Sequence, residues 1–112
     1  MSITTETPVA DILPDWKYTH IAFISNKLLE TGGYATPQQI ADPVLLSSKE
    51  NSLQKIQALL THAHETLKED LNTGRPEPVY LTEVDFPAGV VGKILIAINS
   101  MSSFTLMLPQ EY

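Results

Sequence analysis

The histidines are the residues of this chain best suited to catalysis or metal binding, because imidazole titrates near neutral pH and is a common metal ligand. His62 and His64 are two residues apart in a segment whose apolar periodicity predicts a helix. Two positions correspond to about 200° around a helix, so this pair cannot bind one metal ion from that element. We expect His64 to lie beside the buried face with one ring nitrogen hydrogen-bonded. The sequence indicates no partner for His20, and we predict no metal site.

Nucleophilic catalysis is no better supported. A serine nucleophile needs a sharp turn, a base and an orienting acid. Ser47 and Ser48 fit a helix cap, the serines between 100 and 103 fit a hairpin loop, and neither group has the Gly-x-Ser-x-Gly pattern of a nucleophile elbow. The pair Gly32-Gly33 lacks the neighbours of a nucleotide-binding loop. We predict no catalytic residue, no cofactor and no enzymatic activity; a ligand or active site using His64 with a carboxylate is the least favoured hypothesis.

Most of the net charge lies between Glu65 and Asp85. This stretch contains six acidic and two basic residues, a charge of −4 in a chain whose total is −6. Acids near a helix C-terminus oppose the helix dipole, at a local cost of a few tenths of a kcal/mol. A solvated helix face explains Glu65 and Glu69. The other acids, with two tyrosines as aromatic anchors, predict a surface for a positively charged protein: Asp70, Glu77, Tyr80, Glu83, Asp85 and Tyr112.

Composition narrows the class of protein. A chain of 112 residues with 43% hydrophobic and 18% charged residues is typical of one globular domain, so we expect residues 1–112 to form a single unit. The absence of cysteine excludes disulfides and zinc–thiolate sites and fits a reducing compartment. The acidic charge argues against direct binding to nucleic acid or to an anionic membrane. Without a signal-like N-terminus or an apolar run of membrane-spanning length, we expect a cytoplasmic protein.

The clearest predicted element is a long amphipathic helix from about Ser48 to Thr73. Ser47 to Glu50 matches a capping box, and Gly74 suits the first position beyond the helix. Apolar residues recur between them at spacings of three and four, as on one face of a helix: Leu53, Ile56, Leu60, Ala63, Leu67 and Leu71.

Two interpretations compete for the segment from Trp16 to Ser25. Its aromatic and β-branched residues suit a strand, although they do not alternate regularly. We favour a helix from about Asp15 to Thr31, with Pro14 near the first turn and Gly32 at the end. A further short helix is predicted after the capping box that begins at Thr36, and residues 1–11 are predicted to be a mobile lead-in.

Beyond Gly74 the pattern predicts strands. Residues 79–86 alternate, whereas residues 93–99 and 103–108 are apolar on both faces, so the hairpin of the latter two should be central or covered on each side. The predicted class is α+β, with N-terminal helices, including the long amphipathic one, packed against a C-terminal antiparallel meander of about three strands.

In size, acidity and lack of cysteine or catalytic signature, the chain resembles bacterial immunity proteins. That resemblance implies a non-enzymatic inhibitor that neutralises a basic toxin, such as a nuclease, by covering its active site. The alternative is a structural or oligomeric subunit, for instance a homodimer, assembled through the apolar C-terminal hairpin: Ile94, Leu95, Ile96, Ile98, Phe104, Leu106, Met107 and Leu108.

Overall fold

The computed structural model describes residues 6–47, 50–99 and 101–112. Along the chain these residues form β1 (Glu6–Pro8), α1 (Val9–Ile12), β2 (Ile21–Ser25), α2 (Asn26–Thr31), α3 (Pro37–Ala41), α4 (Pro43–Ser47), α5 (Glu50–Thr73), β3 (Val79–Asp85), β4 (Val91–Ile98), β5 (Phe104–Met107) and a final 3₁₀ turn (Pro109–Glu111).

The strands form one mixed sheet in the order β1-β2-β5-β4-β3. Strands β3, β4 and β5 are joined as an antiparallel meander, whereas β2 pairs with β5 in parallel and β1 with β2 antiparallel. The α+β class and the meander are therefore confirmed. The prediction of about three strands with the helices first is wrong, because β1 and β2 precede the long helix and complete a five-stranded sheet.

The helix predicted for Asp15 to Thr31 is also wrong. The strand interpretation holds for Ile21–Ser25, and only Asn26–Thr31 is helical. Ile21 and Ile24 are almost fully buried where β2 pairs with β5, and this long-range pairing outweighs the local helical pattern. Ser25 then ends the strand and begins the helix, since its Oγ accepts a hydrogen bond from the Leu28 N–H at 3.4 Å.

The predicted lead-in is too long. Glu6–Pro8 pairs with β2, and α1 follows immediately. Thr7, Val9 and Ile12 are buried, so the packing of this segment gives it a fixed place in the fold. Residues 1–5 lie outside the described part of the chain.

The long helix is confirmed from Glu50 to Thr73. At its C-terminus Gly74 adopts φ +73°, the Gly74 N–H donates to Leu71 O (3.2 Å) and the Arg75 N–H donates to Asp70 O (3.1 Å), which is a Schellman motif. The capping box predicted at its start includes Ser48 and Lys49, which lie outside the described residues. The capping box of α3, formed by Thr36 and Gln39, is confirmed.

The two faces of the sheet differ. Each of the five helices contributes side chains to one buried cluster that also contains Ile94 and Ile96 of β4 and Leu106 of β5. Leu95 and Ala97, whose side chains point to the other face, are buried but lie outside this cluster. The helices therefore pack on one face of the sheet. Among the residues described, no helix is both long and apolar enough to cross a membrane.

Gly92, the second residue of β4, lies directly against the Phe86 ring. A Cβ at this position would overlap that ring, which is held in turn by an edge-on contact with Tyr34. We predict that Gly92→Ala lowers the free energy of unfolding by about 1–3 kcal/mol, as overpacking does in a filled core.

Urea denaturation measures this change. Val91→Ala is the matched control, because Val91 is in the same strand and 67% exposed; its effect should stay below about 1 kcal/mol. Equal stability of Gly92→Ala and the wild-type chain would contradict the close contact between Gly92 and the Phe86 ring.

Candidate functional site

The Tyr80 hydroxyl joins the end of α5 to the start of β3. It donates a hydrogen bond to Asp70 Oδ2 (2.5 Å) and accepts one from the Glu77 N–H (2.7 Å). Burial and the hydrogen bond to Asp70 raise the pKa of Tyr80 above its usual value. Three of the predicted binding residues are therefore adjacent, but the Tyr80 hydroxyl is occupied within the chain and is not a free anchor for a partner.

Glu83 and Asp85 lie at the other end of β3, beside a groove of about 480 Å³ between this strand and α5. Successive residues of β3 line the groove, so it follows the outer margin of the strand and does not lie on one face of the sheet. The groove is lined by Tyr34, Lys55, Ala58, Leu59, His62, Glu83, Val84, Asp85 and Pro87.

The predicted acids thus form two groups along one strand. Asp70 and Glu77 lie beside its first residues, while Glu83 and Asp85 lie about 13 and about 20 Å beyond Val79 at the strand rise of about 3.3 Å per residue. Between them the His62 Nε2 and the Thr82 Oγ1, 3.0 Å apart, join α5 to β3.

Basic residues lie near these acids without forming ion pairs to them among the described residues. Arg75 is two positions before Glu77, and its backbone N–H donates to Asp70 O at 3.1 Å. Lys93 lies opposite Glu83 in the strand register, and Lys55 lines the groove. Across the described ranges the one ion pair within 4.0 Å is Lys68–Glu65 on the exposed side of α5. The carboxylates of Glu77, Glu83 and Asp85 therefore face solvent without a paired cation in the described part of the chain.

Tyr112 is not brought together with the other predicted residues. It follows the 3₁₀ turn, which is anchored at the β2 side of the sheet because Ser25 Oγ donates to both carboxylate oxygens of Glu111 (2.6 and 2.8 Å). Its side chain is 75% exposed, and within the described residues it makes no hydrogen bond or ring contact with the five others. The predicted surface is thus divided between the two groups on β3 and an isolated tyrosine.

The sequence did not predict the cluster of aromatic rings that surrounds His64. Its ring stacks on Tyr18 with centroids 3.6 Å apart, and its Nδ1 lies 3.2 Å from His20 Nε2. The prediction that His64 is half-buried and hydrogen-bonded is confirmed, but its partner is a second histidine. Forty-four residues separate the pair, and the strand that positions His20 was predicted as a helix, so no local signal pointed to it.

Trp16 extends this ring cluster. It makes an edge-on contact with Tyr18, with centroids 5.2 Å apart, and its buried indole N–H has no hydrogen-bond partner among the described residues. Beside it, a cavity of about 490 Å³ lies between the segment after α1 and the outer side of α5. Within the described residues no group of three or more histidine, aspartate or glutamate side chains is arranged to hold a metal ion.

Comparison with known proteins identifies no family and no similar structure for this chain. No protein-family model matches the chain, and neither the curated proteins nor the solved structures contain a match. The function therefore has to be argued from the site itself.

We predict that acid destabilises the folded chain through the His20–His64 pair. Burial, and then the electrostatic effect of His64, lower the pKa of His20 below 6.5, so as pH falls the unfolded chain binds a proton before the folded chain does. The free energy of unfolding is therefore undiminished by this histidine above pH 6.5, and it decreases as pH falls from 6.5 through the folded-state pKa of His20. We expect the urea midpoint to decrease between about pH 7.5 and about pH 5.

His20→Gln should flatten this dependence, because glutamine does not titrate. His62→Gln is the control, since His62 is exposed and contacts Thr82 instead of the ring cluster. Identical pH profiles for wild type and His20→Gln would exclude the histidine pair as the origin of the effect.

Proposed function

We propose that this protein is a small, acidic, non-enzymatic binding protein that neutralises a basic protein, for example a nuclease toxin, by covering its active site as immunity proteins do. The observation that carries the proposal is the distribution of carboxylates along β3 and in the corner that precedes it. Glu77, Glu83 and Asp85 are exposed and lack an ion-pair partner within the described residues.

A nuclease partner would have a basic active site, because its substrate carries phosphates. A nuclease cleft binds phosphates through lysine and arginine side chains, and the same side chains form charge-assisted hydrogen bonds with carboxylates. Exposed acids on one side of a small protein also accelerate association with a basic surface, because their field extends about 10 Å into solvent at moderate salt. Two acidic groups separated along a strand could occupy two parts of such a cleft.

Assembly through the C-terminal hairpin is the less supported alternative. Most of the residues that would form the contact are buried in the chain's own fold, and Ile98, at 41%, is the most exposed of them. Strands β4 and β5 are interior strands of the sheet, so neither offers a free edge to another copy.

The proposal predicts that binding depends on the position of the acids and not on net charge alone. The triple variant Glu77→Gln/Glu83→Gln/Asp85→Asn should bind a captured basic partner about tenfold more weakly or worse, since each exposed pair contributes up to about 1 kcal/mol. The partner would be captured from the source cell, identified, purified and titrated by calorimetry.

The matched control is Glu30→Gln/Glu65→Gln/Glu69→Gln, which removes the same charge from exposed positions on α2 and α5. It should retain near wild-type affinity. Raising the salt concentration should weaken wild-type binding and narrow the difference between the two variants. The proposal fails if both triple variants bind equally, or if affinity does not respond to salt.

A further inference from the structure

Strand β3 is the long free edge of the sheet. Within ranges 6–47, 50–99 and 101–112, the order β1-β2-β5-β4-β3 gives every interior strand two neighbours and leaves β3 paired only with β4. It has seven residues, Val79–Asp85, and contains no proline. An edge strand presents a row of unpaired backbone N–H and C=O groups, which is a template for another strand.

The hydrogen-bonding register identifies those groups. At the two ends of the pairing, the Ile98 N–H donates to Pro78 O (3.0 Å) and the Phe86 N–H donates to Val90 O (2.9 Å). Hydrogen-bonded pairs alternate in an antiparallel ladder, so the even-numbered residues between them, Tyr80, Thr82 and Val84, also bond to β4.

The backbone groups of the odd-numbered residues therefore point outward: Val79, Leu81, Glu83 and Asp85. In the described part of the chain, no backbone hydrogen bond from another segment reaches them. Three of these four residues also have exposed side chains: Leu81, which is 54% exposed, Glu83 and Asp85. The outward backbone groups and the exposed acids of the strand therefore belong to the same set of residues.

The other edge of the sheet is less suitable. Strand β1 has three residues, one of which is Pro8, and α1 begins directly after it. A proline cannot donate to a ladder, and three residues give few pairing positions. The groove beside α5 is a further difference between the two edges, because it leaves about 480 Å³ of open space along the margin of β3.

The charge of β3 favours some extended segments over others as an added strand at this edge. A second copy of this chain would place its own Glu83 and Asp85 in the same ribbon, so that four carboxylates would repel one another. A strand with lysine or arginine at alternate positions would instead set cations opposite these acids and could continue towards Glu77. The edge is therefore matched to a basic extended segment and protected against self-pairing.

We propose that the basic partner docks by adding an extended segment as a sixth strand along the free edge of β3, with its alternate basic side chains facing Glu83 and Asp85. This inference rests on the proposed function, because it takes a basic protein as the partner. Backbone hydrogen bonds would supply the alignment, and the carboxylates would supply the preference for a basic sequence.

The test uses a synthetic heptapeptide of alternating lysine and valine with the complete protein. On binding, amide exchange measured by NMR should slow at least about tenfold at Leu81, Glu83 and Asp85, whose N–H groups point outward. It should change little at Tyr80, Thr82 and Val84, whose N–H groups already bond to β4.

Two N-methylated peptides with the same charge provide the matched controls. In an antiparallel addition, a lysine opposite Glu83 directs its own N–H towards β3, so methylation of the lysine nitrogens should abolish binding and methylation of the valine nitrogens should not. The reverse result would support parallel addition. Equal binding by both methylated peptides, unchanged exchange of the outward amides, or no binding at millimolar peptide would overturn strand addition.

Failure of this inference is distinguishable from failure of the proposed function. Salt-sensitive peptide binding without protection of the outward amides would remove strand addition and leave recognition by charge intact. Equal protection by a neutral threonine–valine peptide, unaffected by Glu83→Gln/Asp85→Asn, would leave strand addition in place and contradict the choice of a basic partner.

Discussion

The parallel pairing of β2 with β5 determines which edges of the sheet stay unpaired. It brings together Ile21 and Phe104, which are far apart in sequence, and buries both. Without it, β5 would be an open edge of the meander, and its apolar residues would invite strand addition. Because β5 is paired on both sides, the unpaired edge of the meander lies at β3, where the sequence places acids. The pairing thus closes the apolar edge of the meander at β5, while the charged edge at β3 stays open.

The junction between α5 and β3 shows how an unfavourable charge is accommodated. Asp70 lies near the C-terminus of the helix, where a negative charge opposes the helix dipole, and the last turn contains no basic residue. The Tyr80 hydroxyl offsets part of this cost by donating to the Asp70 carboxylate, and it also fixes the backbone at Glu77. One side chain therefore links the end of the helix, the proline-containing corner and the first residues of the edge strand.

The ring cluster on the other side of α5 illustrates chemistry that depends wholly on tertiary structure. His64 of α5 meets His20, which directly precedes β2, and Tyr18 stacks on the His64 ring. Two imidazoles that share one hydrogen bond cannot both be protonated without losing it. The lowered pKa of His20 is a property of the fold, since its causes are burial and a histidine that lies 44 positions away in the sequence.

The sequence by itself determined the elements whose signals are local. The capping box at Thr36, the apolar period of α5, its end at Gly74 and the alternation of β3 each depend on residues a few positions apart, and each appears in the structure. The acidic residues of the candidate site were visible for the same reason. Only the tertiary structure decided that Ile21–Ser25 is a strand, that Glu83 and Asp85 lie on a free edge and that Tyr112 lies apart from them. Those outcomes depend on pairing between distant segments, whose burial outweighs local preference and leaves no trace in the spacing of neighbouring residues.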